Sequence, residues 1–293
     1  MTKIIPAFNF TKSIDGNLGF TFTKLEESYS RYNATQPHRH KYYEVLFFNG
    51  SGGVHEIDFQ VYNIHANSVH FVSPDQVHLL RRESHVSGFV ISFSDDFFLE
   101  TDAGNLFIDT LPFFNNPYVV PVLQLKENSQ ITESRHLLDK MQNEFSGPHA
   151  DQREALQSWM KLFLILSKRI YSGDNKEQKP PVLRSEMTRN FKRLVEKEFR
   201  KIKSVSEYAE LLNITAGHLS ETIQKDIGKT AGEFIHDRLI LEAKRLLYHS
   251  PKSIKEIATE LNFEDPSYFT KFFKTHTENT PEQFRQTFRE KYQ

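Results

Sequence analysis

The stretch SIKEIATELNFEDPSYFTKFFKTHTENTPEQFR, residues 253–285, decides how the rest of the chain is organised. Ile254, Ile257, Ala258 and Leu261 recur at i, i+3, i+4 and i+7, the repeat of a helix with one buried face. Ser253 and Glu256 form an S-x-x-E capping box at its start. A second helix follows, with Asp265 as N-cap, Pro266 at N1, and Phe269, Phe272 and Phe273 on the side that faces the core. Ser267, Thr270, Lys271 and Lys274 stand on its other side, with nothing apolar to pack. Two short helices across a tight turn read as a helix-turn-helix, and the outward hydroxyls and lysines suit a DNA major groove.

Upstream, the same motif is written once more. SVSEYAELLNI (204–214) aligns with SIKEIATELNF (253–263), with Ser204, Glu207, Ala209, Leu212 and Asn213 meeting Ser253, Glu256, Ala258, Leu261 and Asn262 as identities. One extra residue in the second turn then places Leu219, Ile223, Thr230 and Phe234 against Phe269, Phe273, Thr280 and Phe284. Between the copies, Phe234, Leu239, Ala243, Leu246 and Leu247 mark a long bridging helix. Such a bridge would let the two outer helices enter successive major grooves, about 34 Å apart. A single helix pair with three apolar contacts is common in plain bundles; two copies with matched caps, turns and anchors favour DNA.

The 293 residues are enough for about two domains of ordinary size. No cysteine is present, which excludes disulfides, thiolate metal sites and a cysteine nucleophile. No charged-then-apolar leader and no apolar run near 18 residues is seen, so a soluble, cytoplasmic protein without membrane partners is expected. The net charge of −1 hides a mild asymmetry: residues 184–293 carry 20 Lys and Arg against 17 Asp and Glu, and the remainder is net acidic.

Residues 4–125 are rich in Phe, Tyr and Val in short period-2 runs, among them YYEVLFF (42–48), SVHFVS (68–73) and SGFVISF (87–93), punctuated by NGSGG (49–53) and SPDQ (73–76). They read as an antiparallel sandwich or small barrel. Two amphipathic stripes follow, one of Ile131, Leu138, Met141 and Phe145, the other of Leu156, Met160, Phe163, Leu164 and Ile170, separated by SGPH (146–149). Such a pair either caps the sheet's core or forms a dimer interface. SGDNKEQKPP (172–181) is polar and without periodicity, and everything after it is helical. The expectation is an α+β chain in two domains: a β-barrel with a helical pair over 1–171, a linker over 172–185, and an all-α tandem helix-turn-helix over 186–293.

On EAKRLL, SIKEIATELNFEDPSYFTKFFK and TPEQFR, residues 186–290 resemble the DNA-binding domain of the AraC/XylS family of transcription regulators. The resemblance implies a homodimeric activator that meets double-stranded DNA and RNA polymerase. Carried over by position, it puts Gly217, His218, Ser220, Glu221 and Lys225 at the DNA from the first motif, and Ser267, Tyr268, Thr270, Lys271 and Lys274 from the second. Asn262 and Glu278 stand where the family usually has Gly, so strained turns are expected there. Glu221 stands where Arg is common; a carboxylate there is able to accept from a cytosine amino group, and Lys271 to donate to guanine. Lys274, Lys252 and Arg285 are expected to neutralise phosphate.

In the first half, HRHKYYE (38–44) with PDQVH ending at His78 looks like a cupin: His38, His40, Glu44 and His78 fit its H-x-H, Glu and later-His pattern. Three imidazoles and a carboxylate suit a divalent metal, so a metal-dependent cupin enzyme fused to a DNA- or protein-binding helical domain is the rival reading. Gln76 stands where that pattern has Gly, and regulators of the resembling family keep such a segment without a metal. The favoured expectation is therefore a metal-free pocket, without cofactor or catalysis, in which His38, His40, Glu44 and His78 meet a small-molecule effector, a sugar or other metabolite.

Overall fold

The computed structural model describes residues 6–10, 19–28, 36–98, 107–114, 119–174 and 186–291. The chain divides into two compact units, with the division between Pro180 and Pro181.

The first unit is built on a five-stranded antiparallel sheet and a three-stranded one. In chain order the strands are β1 (Ala7–Phe8), β2 (Phe20–Lys24), β3 (Arg39–His40), β4 (Tyr43–Phe48), β5 (Gly53–Ile57), β6 (Gln60–Asn63), β7 (Ser68–Val72), β8 (His78–Arg82), β9 (Gly88–Phe93) and β10 (Val122–Gln124), with a short helix α1 (Leu25–Ser28) after β2. The larger sheet runs β10-β7-β4-β9-β2, the smaller β6-β5-β8, and β1 pairs with β3. All six residues of β4 are buried, because its sheet is covered on both faces. Tyr43, Val45 and Phe47 point to one face and join Val69, Phe71, Ile91 and Phe93. Leu46 and Phe48 point to the other and meet Ile57 and Leu80 of the smaller sheet.

NGSGG, expected as a turn, is a crossover that carries the chain from one sheet to the other, since β4 pairs with β7 and β9 whereas β5 pairs with β6 and β8. Gly53 takes φ +92° there, and a Cβ on it would lie 2.1 Å from the Arg81 carbonyl oxygen. β5 and β6, too polar to stand out in the sequence, form a hairpin through Asp58 and Phe59, at φ +43° and +75°.

Two helices, α2 (Asn128–Ser146) and α3 (Gln152–Asp174), complete this unit. Leu137, Leu138, Met141, Leu156, Met160, Phe163 and Leu164 lie in the same core cluster as the outer face of the larger sheet, so the pair caps that core. Of the expected linker 172–185, residues 172–174 close α3 and the rest lies outside the described residues.

The second unit is helical: α4 (Glu186–Glu198), α5 (Val205–Leu211), α6 (Ala216–Ile227), α7 (Ala231–His249), α8 (Ile254–Glu260), α9 (Pro266–Thr277) and α10 (Pro281–Lys291). Its core follows the repeat. Leu219 and Ile223 in α6, and Phe269 and Phe273 in α9, are fully buried, while α7 contributes Phe234, Leu239, Ala243 and Leu247 to both halves. At about 1.5 Å per residue the 19 residues of α7 span roughly 28 Å. A buried ion network ties α4 to α7: Arg238 donates to Glu196 at 2.8 Å and to Glu242 at 3.2 Å. Burial alone would raise the Glu242 carboxyl, but Arg238, Arg245 and Arg200 around it hold it down at about 2.

Candidate functional sites

In a pleated strand alternate residues share a face, so Glu44 joins Leu46, His70 joins Val72, and Ser92 joins Val90 on the face that looks at the smaller sheet. From that sheet, His55 shares a side with Ile57, and His78 with Leu80. The first unit therefore places a buried polar cluster between its sheets: His38, His40, Glu44, His55, His70 and His78 are each less than 7% exposed.

Its contacts run in one line. The His70 Nδ1 lies 3.1 Å from the His55 Nδ1, and the His55 Nε2 lies 3.0 Å from the His78 Nδ1. On the other side of Glu44, the His40 Nδ1 donates to the Tyr42 carbonyl at 2.6 Å. The Nε2 atoms of His40 and His78 each sit 3.8 Å from the Glu44 Oε2, too far for a hydrogen bond, and neither has a hydrogen-bond partner among the described residues. Burial pushes the Glu44 carboxyl up to about 8, against a weaker pull from the Ser92 hydroxyl, and pushes His40 down to about 3. With neutral imidazoles on either side, these 3.8 Å contacts are not ion pairs.

Of the four residues singled out by the sequence pattern, His40, Glu44 and His78 converge, their ligand-type atoms all within 4.8 Å of one another. His38 does not join them: its ring lies tilted against that of His78, centroids 4.3 Å apart, and its Nδ1 lies 3.2 Å from the Gln36 carbonyl. His55 and His70 were missed. Polar residues at inward positions of otherwise apolar strands were the signal, and it is read only once the face of each strand is known. Gln76, the odd residue of the pattern, staples the β7–β8 turn by accepting from the Ser73 amide at 2.7 Å and donating to Asp58 at 3.0 Å.

In the second unit, Gly217, His218, Glu221 and Lys225 on α6, and Ser267, Tyr268, Lys271 and Lys274 on α9, are exposed, with Ser220 and Thr270 half-buried. Each helix begins at a side-chain cap, Thr215 accepting from the His218 amide and Asp265 from the Ser267 amide. The Thr270 hydroxyl donates to the Pro266 carbonyl at 2.9 Å, which leaves it only lone pairs to offer as an acceptor. Phe272, expected beside Phe269 and Phe273 in the core, is only half-buried and lies against Phe263 and His236. Arg285 departs from its expected phosphate role: it is buried, and its guanidinium donates to the Leu247 carbonyl at 3.1 Å and the Lys252 carbonyl at 2.6 Å, closing the end of α7. Lys252 is drawn to Glu260.

Residues 21–158 match the model of the AraC-like ligand binding domain, and residues 208–287 match that of a helix-turn-helix domain. The uncharacterized HTH-type transcriptional regulator YfiF of Bacillus subtilis is 24% identical over 267 residues, 89% of this chain and 82% of that protein. The transcriptional activator RhaS of Salmonella schwarzengrund is 21% identical over 251 residues, 85% of this chain and 87% of its own length. A solved structure of ToxT from Vibrio cholerae aligns over 91% of this chain and 98% of its own, at 15% identity and a TM-score of 0.40. A cupin-like ligand-binding domain and a tandem helix-turn-helix in one chain define a DNA-binding transcription regulator. The chain belongs to the AraC family of such regulators. No helix among the described residues is long and apolar enough to cross a membrane.

Proposed function

We propose that this regulator is a ligand-responsive activator, not an enzyme, that works in the cytoplasm as a homodimer and recruits RNA polymerase. Its sensing and dimerisation domain comprises residues 1–171, and its DNA-binding domain residues 186–293 behind a linker. The observation that carries the DNA-binding mode is the pair of capped, equal-length helices α6 and α9, polar faces exposed, on either side of the single helix α7. α6 offers Gly217, His218, Ser220, Glu221 and Lys225 to one major groove, and α9 offers Ser267, Tyr268, Thr270, Lys271 and Lys274 to the next. Glu221 and Lys271 read bases; Lys274 neutralises phosphate.

Effector binding among His38, His40, Glu44 and His78 changes which half-sites a dimer reaches together, a coupling between two sites. Lys271→Ala tests the base-reading role: the expected loss is about 1 to 3 kcal/mol at the operator mapped by footprinting upstream of the chain's own gene, with little loss on random DNA. Equal losses on both sequences would reduce Lys271 to a phosphate contact.

A further inference from the structure

The tautomers of the buried histidines are dictated by their partners. The Tyr42 carbonyl accepts and never donates, so the proton of His40 is on Nδ1 and the lone pair is on Nε2. For His78 the direction is set at the far end of the relay. The hydroxyl of Ser68 spends its only proton on the His65 carbonyl at 2.7 Å, so across the 3.4 Å contact with His70 it accepts from Nε2. His70 then receives at Nδ1 from His55, and His55 receives at Nε2 from the Nδ1–H of His78. Every proton in the relay points away from Glu44. Two buried lone pairs, on the Nε2 atoms of His40 and His78, thus face a buried carboxyl oxygen at 3.8 Å each; a proton on the carboxyl satisfies at most one of the two nitrogens, whereas a cation among them meets all three atoms.

We propose that His40, Glu44 and His78 are the protein ligands of one divalent first-row transition-metal ion, and that His55 and His70 hold the His78 imidazole in its ligating tautomer from behind. This rests on the reading of the barrel interior as the sensing site, and it departs from the metal-free pocket expected from sequence. Ligand atoms on one such ion sit about 2.1 Å from it and roughly 3 to 3.5 Å from each other, so the three atoms, now 3.8 to 4.8 Å apart, need to close by roughly 0.3 to 1.8 Å. Two imidazoles and one carboxylate favour Zn, Fe or Mn over the all-oxygen cations Ca and Mg. The site takes His40 from β3, Glu44 from β4 in the larger sheet and His78 from β8 in the smaller one, so the ion joins the two sheets. His38, despite its place in the pattern, is not a ligand, and His55, outside the pattern, supports one.

The test uses the full chain purified without a histidine tag, dialysed against chelator and titrated with Co2+ and Zn2+. One Co2+ per chain with the visible bands of nitrogen ligation is expected, and Zn2+ competes for it. Glu44→Gln abolishes uptake, His55→Ala weakens it by about 10- to 100-fold, and His38→Ala leaves it unchanged. Uptake equal in the wild type and Glu44→Gln, or loss with His38→Ala but not with His55→Ala, overturns the assignment. Operator binding by each preparation reports that the chain is folded; should Glu44→Gln fail to fold, the wild-type cobalt spectrum decides, and absence of nitrogen-ligand bands at one equivalent overturns the site. Absence of metal uptake by the wild type overturns the site, yet leaves the ligand-responsive regulator intact. Stoichiometric metal with an unresponsive operator does the reverse: the site stands and the sensing reading falls.

Discussion

Glu278 ends α9 in the left-handed region at φ +65°, where the equivalent residue of the first motif is Gly228 at φ +81°. A Cβ in that conformation crowds the following carbonyl, and a side chain other than Gly, Asn or Asp has little to offset the cost. Asn213 and Asn262, both at φ +56°, fill the earlier turn of each copy with a residue that tolerates the same region. The strain expected at 262 and 278 thus resides in the backbone, and it is larger at Glu278. Glu278→Gly is expected to raise stability by about 0.5 to 1 kcal/mol, the relief of strain exceeding the entropy gained by the unfolded chain. A urea midpoint that falls on this substitution would refute the account.

The two copies differ as elements in how they begin. Ser253 accepts from the Glu256 amide at 3.2 Å while the Glu256 carboxylate accepts from the Ser253 amide at 2.7 Å, a complete capping box on α8. Ser204 occupies the same place before α5 and makes no cap; its hydroxyl lies 2.5 Å from that of Ser206. Matching letters in the repeat therefore do not carry matching energies. Ser253→Ala is expected to cost about 1 kcal/mol. Ser204→Ala should stay within about 0.5 kcal/mol, as a surface change does. Chemical denaturation of both variants checks this, and equal costs would mean that the cap at 204 forms in solution after all.

For the molecule as a whole, a net charge of −1 gives no general attraction to DNA, so affinity has to come from the placement of a few cations on the second unit. If two successive grooves are read, several phosphates are neutralised at once. Affinity for the operator should then fall by about 10³ between 50 and 200 mM salt. Fluorescence anisotropy at four or five salt concentrations measures the slope, and a flat dependence would remove the electrostatic basis of the proposed DNA contact.

Sequence alone determined the class of fold and the duplicated reader. Helical and strand periods, capping residues and the alignment of Ser204–Phe234 with Ser253–Phe284 are local signals, set by residues close in the chain. Strands β4, β7 and β9 were legible because their apolar runs are buried on both faces; β5 and β6 were not, because their stability comes from pairing, β6 with β5 and β5 with β8, rather than from their own composition. Tertiary structure decided which residues meet. His55 and His70 lie far in sequence from His40 and Glu44, and only the pleat and the facing of two sheets bring them into one relay with His78 while leaving His38 aside. The same holds for Arg285, whose burial at the end of α7 no local pattern records. Local propensity acts over one or two turns of chain, whereas the lone pairs at Glu44 are aimed by hydrogen bonds that close only after the sheets have packed.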